Sequence, residues 1–577
     1  MKKLFSIILA SVALTSCVDT VILPDNKTVD DDFWQKKSEV EAVVSAAYAQ
    51  LRDASAIRNM IIWGDFRSDE LVVTSSLPSS AEYKVALSQI YSMNIETENT
   101  FTTWYPFYSA INYCNLVLEK AEGVVAVDPD YTLGDYNANK AQVLALRAFC
   151  YFYLTRVFHD VPVTPGAYLN SSDDLNALQY NPDAVLTMCI NDLEEAAKDA
   201  VSGSTYGDWR DKGYLNQDGI NALLADIYLW RGSVNRDAGD YQACVDYCDK
   251  IIKSKKEAYE ADPSNRRFSA GAGEKDYYLS DYRTMYADLF GQNGQNADES
   301  IFELQYRLSS TENVGLDRMY YRYRSSSSDS YGYLKASKVF GTVDGTGNGV
   351  WNNAVDQRLY EYAYDANSSS VEQFGVRKFV ATGSAGVDNT AESGRSSRTN
   401  VYQNWILYRL TDVMLMKAEA LVQLYNLGGK ADDDTRNEEA FEICKFINDR
   451  ALSDANKTSY PLGGNSGYSG LKDNMEKIVL AERARELCFE GKRWFDLMRY
   501  NYRHTTEKAD LKKMLTEGYV NNSDEFFELA LRKYAVPSAM RAKMRDERYL
   551  YMPINQDEVE VNPNLKQNPV YKSSSKY

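Results

Sequence analysis

The sequence predicts a mainly α protein, a scaffold of stacked helix pairs carrying an irregular, loop-rich lobe with short strands. Three observations lead there. Apolar residues recur at helical spacing over about 38–53, 104–121, 138–158, 182–200, 217–233, 239–254, 405–426, 437–452 and 474–501. A helix–turn–helix unit occurs twice, at 220–252 and at 413–447. Between the two copies, about 255–404 is rich in Gly, Ser, Asn and Tyr and breaks the helical pattern.

The first residues read as an export signal. Lys2 and Lys3 precede the apolar run Leu4 to Ala13, which is too short to span a bilayer. Leu14-Thr15-Ser16-Cys17 follows and resembles a bacterial lipobox. That resemblance implies cleavage before Cys17 and acylation of its sulfur and new N-terminus. Several acyl chains anchor stably where one binds only marginally.

The helical segments carry their own start and stop signals. Asn181 precedes Pro182, a residue suited to the first helical position. Gly428-Gly429 ends another helix. The two repeated units place alanines where paired helices cross, in Ile220-Asn-Ala-Leu-Leu-Ala-Asp-Ile-Tyr-Leu229 and Val413-Met-Leu-Met-Lys-Ala-Glu-Ala-Leu-Val422. They resemble tetratricopeptide repeats, whose units bury their faces only by stacking. In the middle region, 300–306 and 376–380 read as strands, and Ser325 to Ser328 and Gly341 to Gly349 as long loops. The expected organisation is a signal at 1–16, a helical region at 17–254, a tyrosine-rich insertion at 255–404 and a C-terminal region at 405–577.

Composition excludes some classes. A net charge of −18 repels nucleic acid. Apart from Cys17, seven cysteines remain, an odd number scattered through apolar helical runs, which argues for packing rather than a disulfide framework. Cys244 and Cys248 share a helix face but lack a second ligand pair, so no metal is expected. The two histidines leave little room for imidazole-based catalysis. His159 is expected to close a helix, and His504 has no obvious partner. Gly345-Thr-Gly347-Asn-Gly349 does not link a strand to a helix and is read as a loop, not a nucleotide site. No cofactor is expected. A pair of carboxylates could serve a glycosidase, but nothing singles out a pair among 82 acidic residues.

Residues 482–499 place Gly491 inside an otherwise helix-like run that alternates charges with Leu487, Phe489, Trp494 and Leu497. The segment reads as one packed helix with internal ion pairs. Arg147, Asp412, Glu482, Arg483, Arg485, Glu486, Glu490 and Arg493 are expected in that structural role. Together with the stretches 144–162, 408–420 and 551–571, it resembles the SusD/RagB family of outer-membrane nutrient-binding lipoproteins. The resemblance implies a surface-exposed, lipid-anchored protein of the cell outer membrane. It also implies a SusC-like TonB-dependent transporter as partner, an oligo- or polysaccharide or alternatively a peptide as cargo, and no enzymatic activity. A surface glycoside hydrolase is the less favoured reading.

Sugars offer apolar C–H faces and a hydroxyl rim, so aromatic loops interleaved with Arg, Asp and Asn on a rigid scaffold suit them. Tyrosine supplies 44 residues of the chain. Two stretches fit, 63–94 and 317–351, and the expected ligand-binding residues are Arg67, Asp69, Tyr83, Tyr91, Tyr320, Tyr323, Tyr331 and Trp351. Trp104 is assigned to a helix face in the core.

Overall fold

The computed structural model describes residues 33–75, 77, 79–169, 176–261, 277–291, 295–307, 311–320, 332–341, 349–351, 353–363, 373–380, 401–428, 434–507 and 522–571. The signal, Cys17, Tyr323, Tyr331 and most of both long loops lie outside these residues.

Eight helices form the scaffold: α1 (Lys37–Leu51), α2 (Tyr105–Val124), α3 (Leu133–Phe158), α4 (Pro182–Asp199), α5 (Gln217–Asn235), α6 (Ala238–Ala261), α7 (Leu410–Leu427) and α8 (Thr435–Arg450). Each packs against the next, so the helix pairs stack into one layer. The boundaries follow from local chemistry. Thr132 and Asp135 form a capping box before α3. The Asn181 side chain accepts from the Ala184 amide, and Pro182 opens α4. Gly428 ends α7. Ala222 and Ala225 are fully buried at the α5–α6 crossing. Fully burying a Leu, Ile or Phe contributes about 1.5–3 kcal/mol, so the shared faces rather than helix propensity hold the stack.

Both repeated units are helix pairs, and α6 of the first packs directly on α7 of the second. Two expected elements differ. The segment 405–426 divides into a strand, Trp405–Arg409, and then α7. All five strand residues are buried, and a short apolar run of this kind has no period that separates strand from helix. The segment 474–501 also divides, into α9 (Met475–Glu486) and α10 (Arg493–His504). Gly491 sits at φ +74 and Phe489 at φ +66 between them, a left-handed turn no helix can pass through.

Strands are short. We number them β1 (Leu71–Val73), β2 (Val161–Val163), β3 (Leu178–Tyr180), β4 (Ser300–Leu304), β5 (Leu334–Ser337), β6 (Gln373–Phe374) and β7 (Trp405–Arg409). β4 pairs with β7, β2 with β3, and β1–β5–β6 form a three-stranded sheet, all antiparallel. The expected strand at 376–380 is instead a single bridge from Val376 to Ala363 followed by a turn, and the strand lies just before it at β6. The middle region thus contributes strands to the same core as the helices rather than standing apart.

The charged segment is an ion-pair network. Glu486 meets Arg358 at 3.1 Å, Arg409 at 2.8 Å and Arg450 at 2.9 Å. Glu490 meets Arg409 and Lys378. Arg483 bridges Asp412 and Asp496, each at 3.0 Å, while Arg485 holds Glu482 at 2.7 Å. Arg147 pairs with Asp192 at 2.9 Å. The carboxylates of the shared motifs are therefore committed to guanidinium and ammonium partners.

His159 ends α3 at φ +70, as expected, with Nδ1 2.6 Å from Asp160. His504 does have a partner: Nε2 lies 3.0 Å from Glu476, and the ring stacks on Tyr500. The seven described cysteines are buried and unpaired with one another.

Candidate functional site

The fold brings together the two stretches singled out for ligand binding. β1 pairs with β5 in the register Leu71↔Ala336 and Val73↔Leu334. Beyond the ladder, the Thr74 amide donates to the Tyr333 carbonyl at 3.0 Å, and the Thr74 hydroxyl donates to the Gly332 carbonyl at 2.9 Å. Segments some 260 residues apart thereby share one face.

Four of the expected ligand residues point into the protein rather than out of it. Arg67 donates to the carbonyls of Leu550 at 2.7 Å and Tyr549 at 2.8 Å, and lies over the Trp494 ring at 4.7 Å. Asp69 is fully buried between Arg493 and Arg532, and these cations hold its carboxyl down to about 2 against the cost of burial. Tyr320 is fully buried, with its hydroxyl donating to the Phe489 carbonyl at 2.8 Å and its ring stacked on Phe379. The Trp351 indole donates to the Phe340 carbonyl at 3.0 Å. The physical reason is a π-helical turn, Ile62–Phe66, which buries five successive residues and leaves the following polar run facing the α9–α10 junction. Arg67, Asp69, Tyr320 and Trp351 are therefore reassigned to the core. Tyr91 is half-buried against Tyr534, with ring centroids 4.7 Å apart. Tyr323 and Tyr331 lie outside the described residues.

What remains on the face is a small constellation that sequence reading only partly named. Tyr83 and Tyr333 meet edge to face at 5.1 Å. The Arg58 guanidinium lies 5.3 Å above Tyr83. Burial and the neighbouring Glu82 carboxylate push the Tyr83 hydroxyl up to about 12. Glu82 and Val85 are exposed beside them, as is Arg318, whose carbonyl receives the Tyr333 amide at 3.0 Å. Tyr333 lies in the 317–351 tyrosine cluster already singled out, whereas Arg58 falls outside both stretches and had no local signal.

Beneath this face, Asp65 and Glu70 are a buried, adjoining carboxyl pair. Asp65 accepts from the Gly491 amide at 2.7 Å and the Lys492 amide at 3.1 Å, and Glu70 accepts from the Phe489 amide at 2.8 Å. Burial raises Asp65 to about 6 and, with the Asp65 charge beside it, lifts Glu70 further. Folded values above the unfolded ones mean a contribution that is complete at acid pH and lost as pH rises through the folded values. Glu70→Gln keeps a donor and an acceptor without the titration. It is expected to flatten the decline in stability as pH rises above the unfolded carboxyl value of about 4, measured as the urea midpoint along that rise.

Stacked helix pairs with an aromatic, charged face opposite short strands define a helical-repeat scaffold suited to holding a ligand. The chain belongs to the SusD/RagB family: the SusD family model matches residues 350–571, and the model described as starch-binding associating with outer membrane matches residues 23–229. SusD-like protein P38 of Formosa agariphila is 25% identical over 513 residues, covering 86% of this chain and 90% of that protein. A SusD-like protein of Bacteroides ovatus is 22% identical, covering 73% and 72%. Among solved structures, a SusD superfamily protein of Bacteroides thetaiotaomicron matches with a TM-score of 0.62 at 21% identity, covering 93% of this chain and 99% of that one. Surface glycan-binding protein A of Bacteroides uniformis matches with a TM-score of 0.61 at 19% identity, covering 92% and 99%. These two structures share the fold. No helix among the described residues is long and apolar enough to cross a membrane.

Proposed function

We propose that this chain is a surface-exposed lipoprotein that captures an oligosaccharide and passes it to a SusC-like TonB-dependent transporter, without chemistry of its own. The observation that carries the ligand reading is the Tyr83–Tyr333–Arg58–Glu82 constellation, built where β1 and β5 join two distant stretches. The half-buried Tyr333 ring, braced by the buried Tyr83, offers flat surface to sugar C–H faces, while the guanidinium and carboxylate suit hydroxyls. The family's description as starch-binding and a fold-mate's description as glycan-binding support the same class. Tyr83 stays in the proposal only as a buried support for Tyr333, while Tyr91, Tyr323 and Tyr331 stay as expected ligand residues.

Calorimetric titration of the chain beginning after Cys17 against oligosaccharides and peptides tests this reading. Arg58→Ala combined with Glu82→Gln leaves the buried rings in place and is expected to weaken saccharide binding by about 10- to 100-fold, the range of a ligand hot spot. Unchanged affinity removes the site from this face, and saturation by peptides alone changes the cargo class. The lipid anchor follows from the Leu-Thr-Ser-Cys17 sequence. Cys17→Ser is expected to release the protein from the membrane fraction, and retention there would exclude acylation of Cys17 as the anchor.

A further inference from the structure

Helix α2 has a second face that is only partly covered. Tyr105, Ser109, Asn112, Tyr113 and Leu116 fall at i, i+4, i+7, i+8 and i+11, one stripe of a helix. They form one wall of a cleft of about 740 Å³. Pro162, Thr164, Tyr168, Leu169 and Ala177, with a short C-terminal helix, α11 (Gln556–Val561), form the others. Its size falls within the range of about 300–1,000 Å³ typical of small-molecule sites. It shares no residue with the Tyr83–Tyr333 face.

The walls are fixed from behind. The Tyr108 hydroxyl donates to the Pro162 carbonyl at 2.7 Å. Asn112 clasps the backbone of Tyr168 from both sides, donating to its carbonyl at 3.1 Å and accepting from its amide at 2.7 Å. Asn115 donates to the Thr164 hydroxyl at 3.1 Å and is itself held by Arg147 at 2.9 Å. A cleft braced this way keeps its shape before a ligand arrives.

Its chemistry is selective. Trp104 lies in the floor, 3% exposed, and its indole N–H bonds to the Glu558 carboxylate. At the rim, Tyr105 is 66% and Val561 68% exposed. A carboxylate has about four acceptor positions, so one indole bond leaves the others for ligand donors. Among the described residues, no Lys, Arg or His lines the cleft. Anionic ligands meet only Glu558 and are disfavoured; a neutral molecule with hydroxyl donors and apolar faces is matched.

We propose that this cleft is a second carbohydrate site, one that takes a neutral oligosaccharide with its sugar faces on Tyr105 and Tyr113 and its hydroxyls on Glu558. The proposal rests on the carbohydrate reading of the function and places a separate subsite on the helical stack.

The test uses the chain beginning after Cys17 labelled with 5-fluorotryptophan, with Trp104→Phe serving only to assign the Trp104 ¹⁹F resonance. Maltohexaose, cellohexaose, xylohexaose and mannohexaose are the probes, each titrated by ¹⁹F NMR and by calorimetry. One of them is expected to shift the Trp104 resonance saturably. Tyr105→Ala and Glu558→Gln are each expected to weaken that response about tenfold, and Arg58→Ala with Glu82→Gln to leave it intact. Both cleft substitutions sit at solvent-facing or half-buried positions, and urea midpoints confirm folding. Calorimetric binding that Arg58→Ala with Glu82→Gln abolishes, with Trp104 unmoved, overturns the second site while the carbohydrate function stands. Silence of both readouts across the panel overturns both. A Tyr105→Ala effect seen only on association with a purified transporter also overturns it, and marks the cleft as a protein contact.

Discussion

Glu486→Ala is expected to cost about 3–5 kcal/mol of folding stability, because it leaves buried cations without their counter-charge. Three guanidinium groups converge on this one carboxylate, and Arg358, Arg409 and Arg450 are each almost wholly buried. Arg358 keeps Asp356 and Glu482, and Arg450 keeps Glu299, but each loses one bond to charge in a site that water does not reach. The surrounding cations hold Glu486 well below the ordinary carboxylate range despite its burial. Asp412, beside Lys492 and Arg483, is held to about 2 in the same way. Depressed folded values mean stability that is present above the unfolded value of about 4 and lost as pH falls through the folded ones. The network and the Asp65–Glu70 pair therefore respond to pH with opposite signs. A urea midpoint for Glu486→Ala within about 1 kcal/mol of the parent, at neutral pH, would show that the network contributes little.

Gly64→Ala is expected to be as damaging, for a steric reason. A methyl at Gly64 would lie 2.1 Å from the Gly491 carbonyl oxygen and 2.8 Å from the Gly491 Cα. Both obstacles are backbone, so no side chain can swing aside. Relief requires the π-helical turn and the α9–α10 junction to separate, which breaks the bonds from the Gly491 and Lys492 amides to Asp65. Overpacking among flexible side chains costs about 1–3 kcal/mol; backbone against backbone should exceed it, to the point of failed expression. Gly123→Ala provides the comparison. It lies in α2 with nothing within 4 Å of the added methyl, and is expected to stabilise by about 0.5–1 kcal/mol. Differential scanning calorimetry of the two variants together separates steric from general effects; equal melting temperatures would refute the contact.

The helical scaffold was legible because its signals are local. Periodicity over a dozen residues, Asn181 before Pro182 and the paired alanines each act within a few turns. The ion pairs among Arg483, Arg485, Glu486 and Glu490 were legible too, since so many charges beside Leu487 and Trp494 can be buried only in pairs. The split at Gly491 was not read, although the glycine was conspicuous, because a helix tolerates one glycine and its φ is set by the distant Gly64 contact. Trp405–Arg409 escaped for want of a period. For the candidate site, both stretches were singled out but not their pairing through β1 and β5, and Arg67, Asp69, Tyr320 and Trp351 were expected to hold ligand whereas their side chains are buried. Arg67, Asp69 and Tyr320 are buried by partners at 489, 493, 532, 549 and 550, outside both stretches, and Trp351 by Phe340 within its own; none of these contacts shows as a local pattern. The α2 cleft was missed because its far wall is the chain's last short helix.

The bonds from Arg67 to the carbonyls of Tyr549 and Leu550 join positions 482 and 483 residues apart. Met552 and Gln556 add amide bonds to the Val157 and Thr97 carbonyls from the same late segment. Closing so long a span costs entropy that grows only slowly with length, but none of it is recovered until the final contacts form. A chain still lacking its last segment therefore holds a guanidinium with nothing to accept from it, buried or half-buried against Trp494. The lobe around β1 is thus held shut by residues that lie hundreds of positions away along the chain, not by its sequence neighbours.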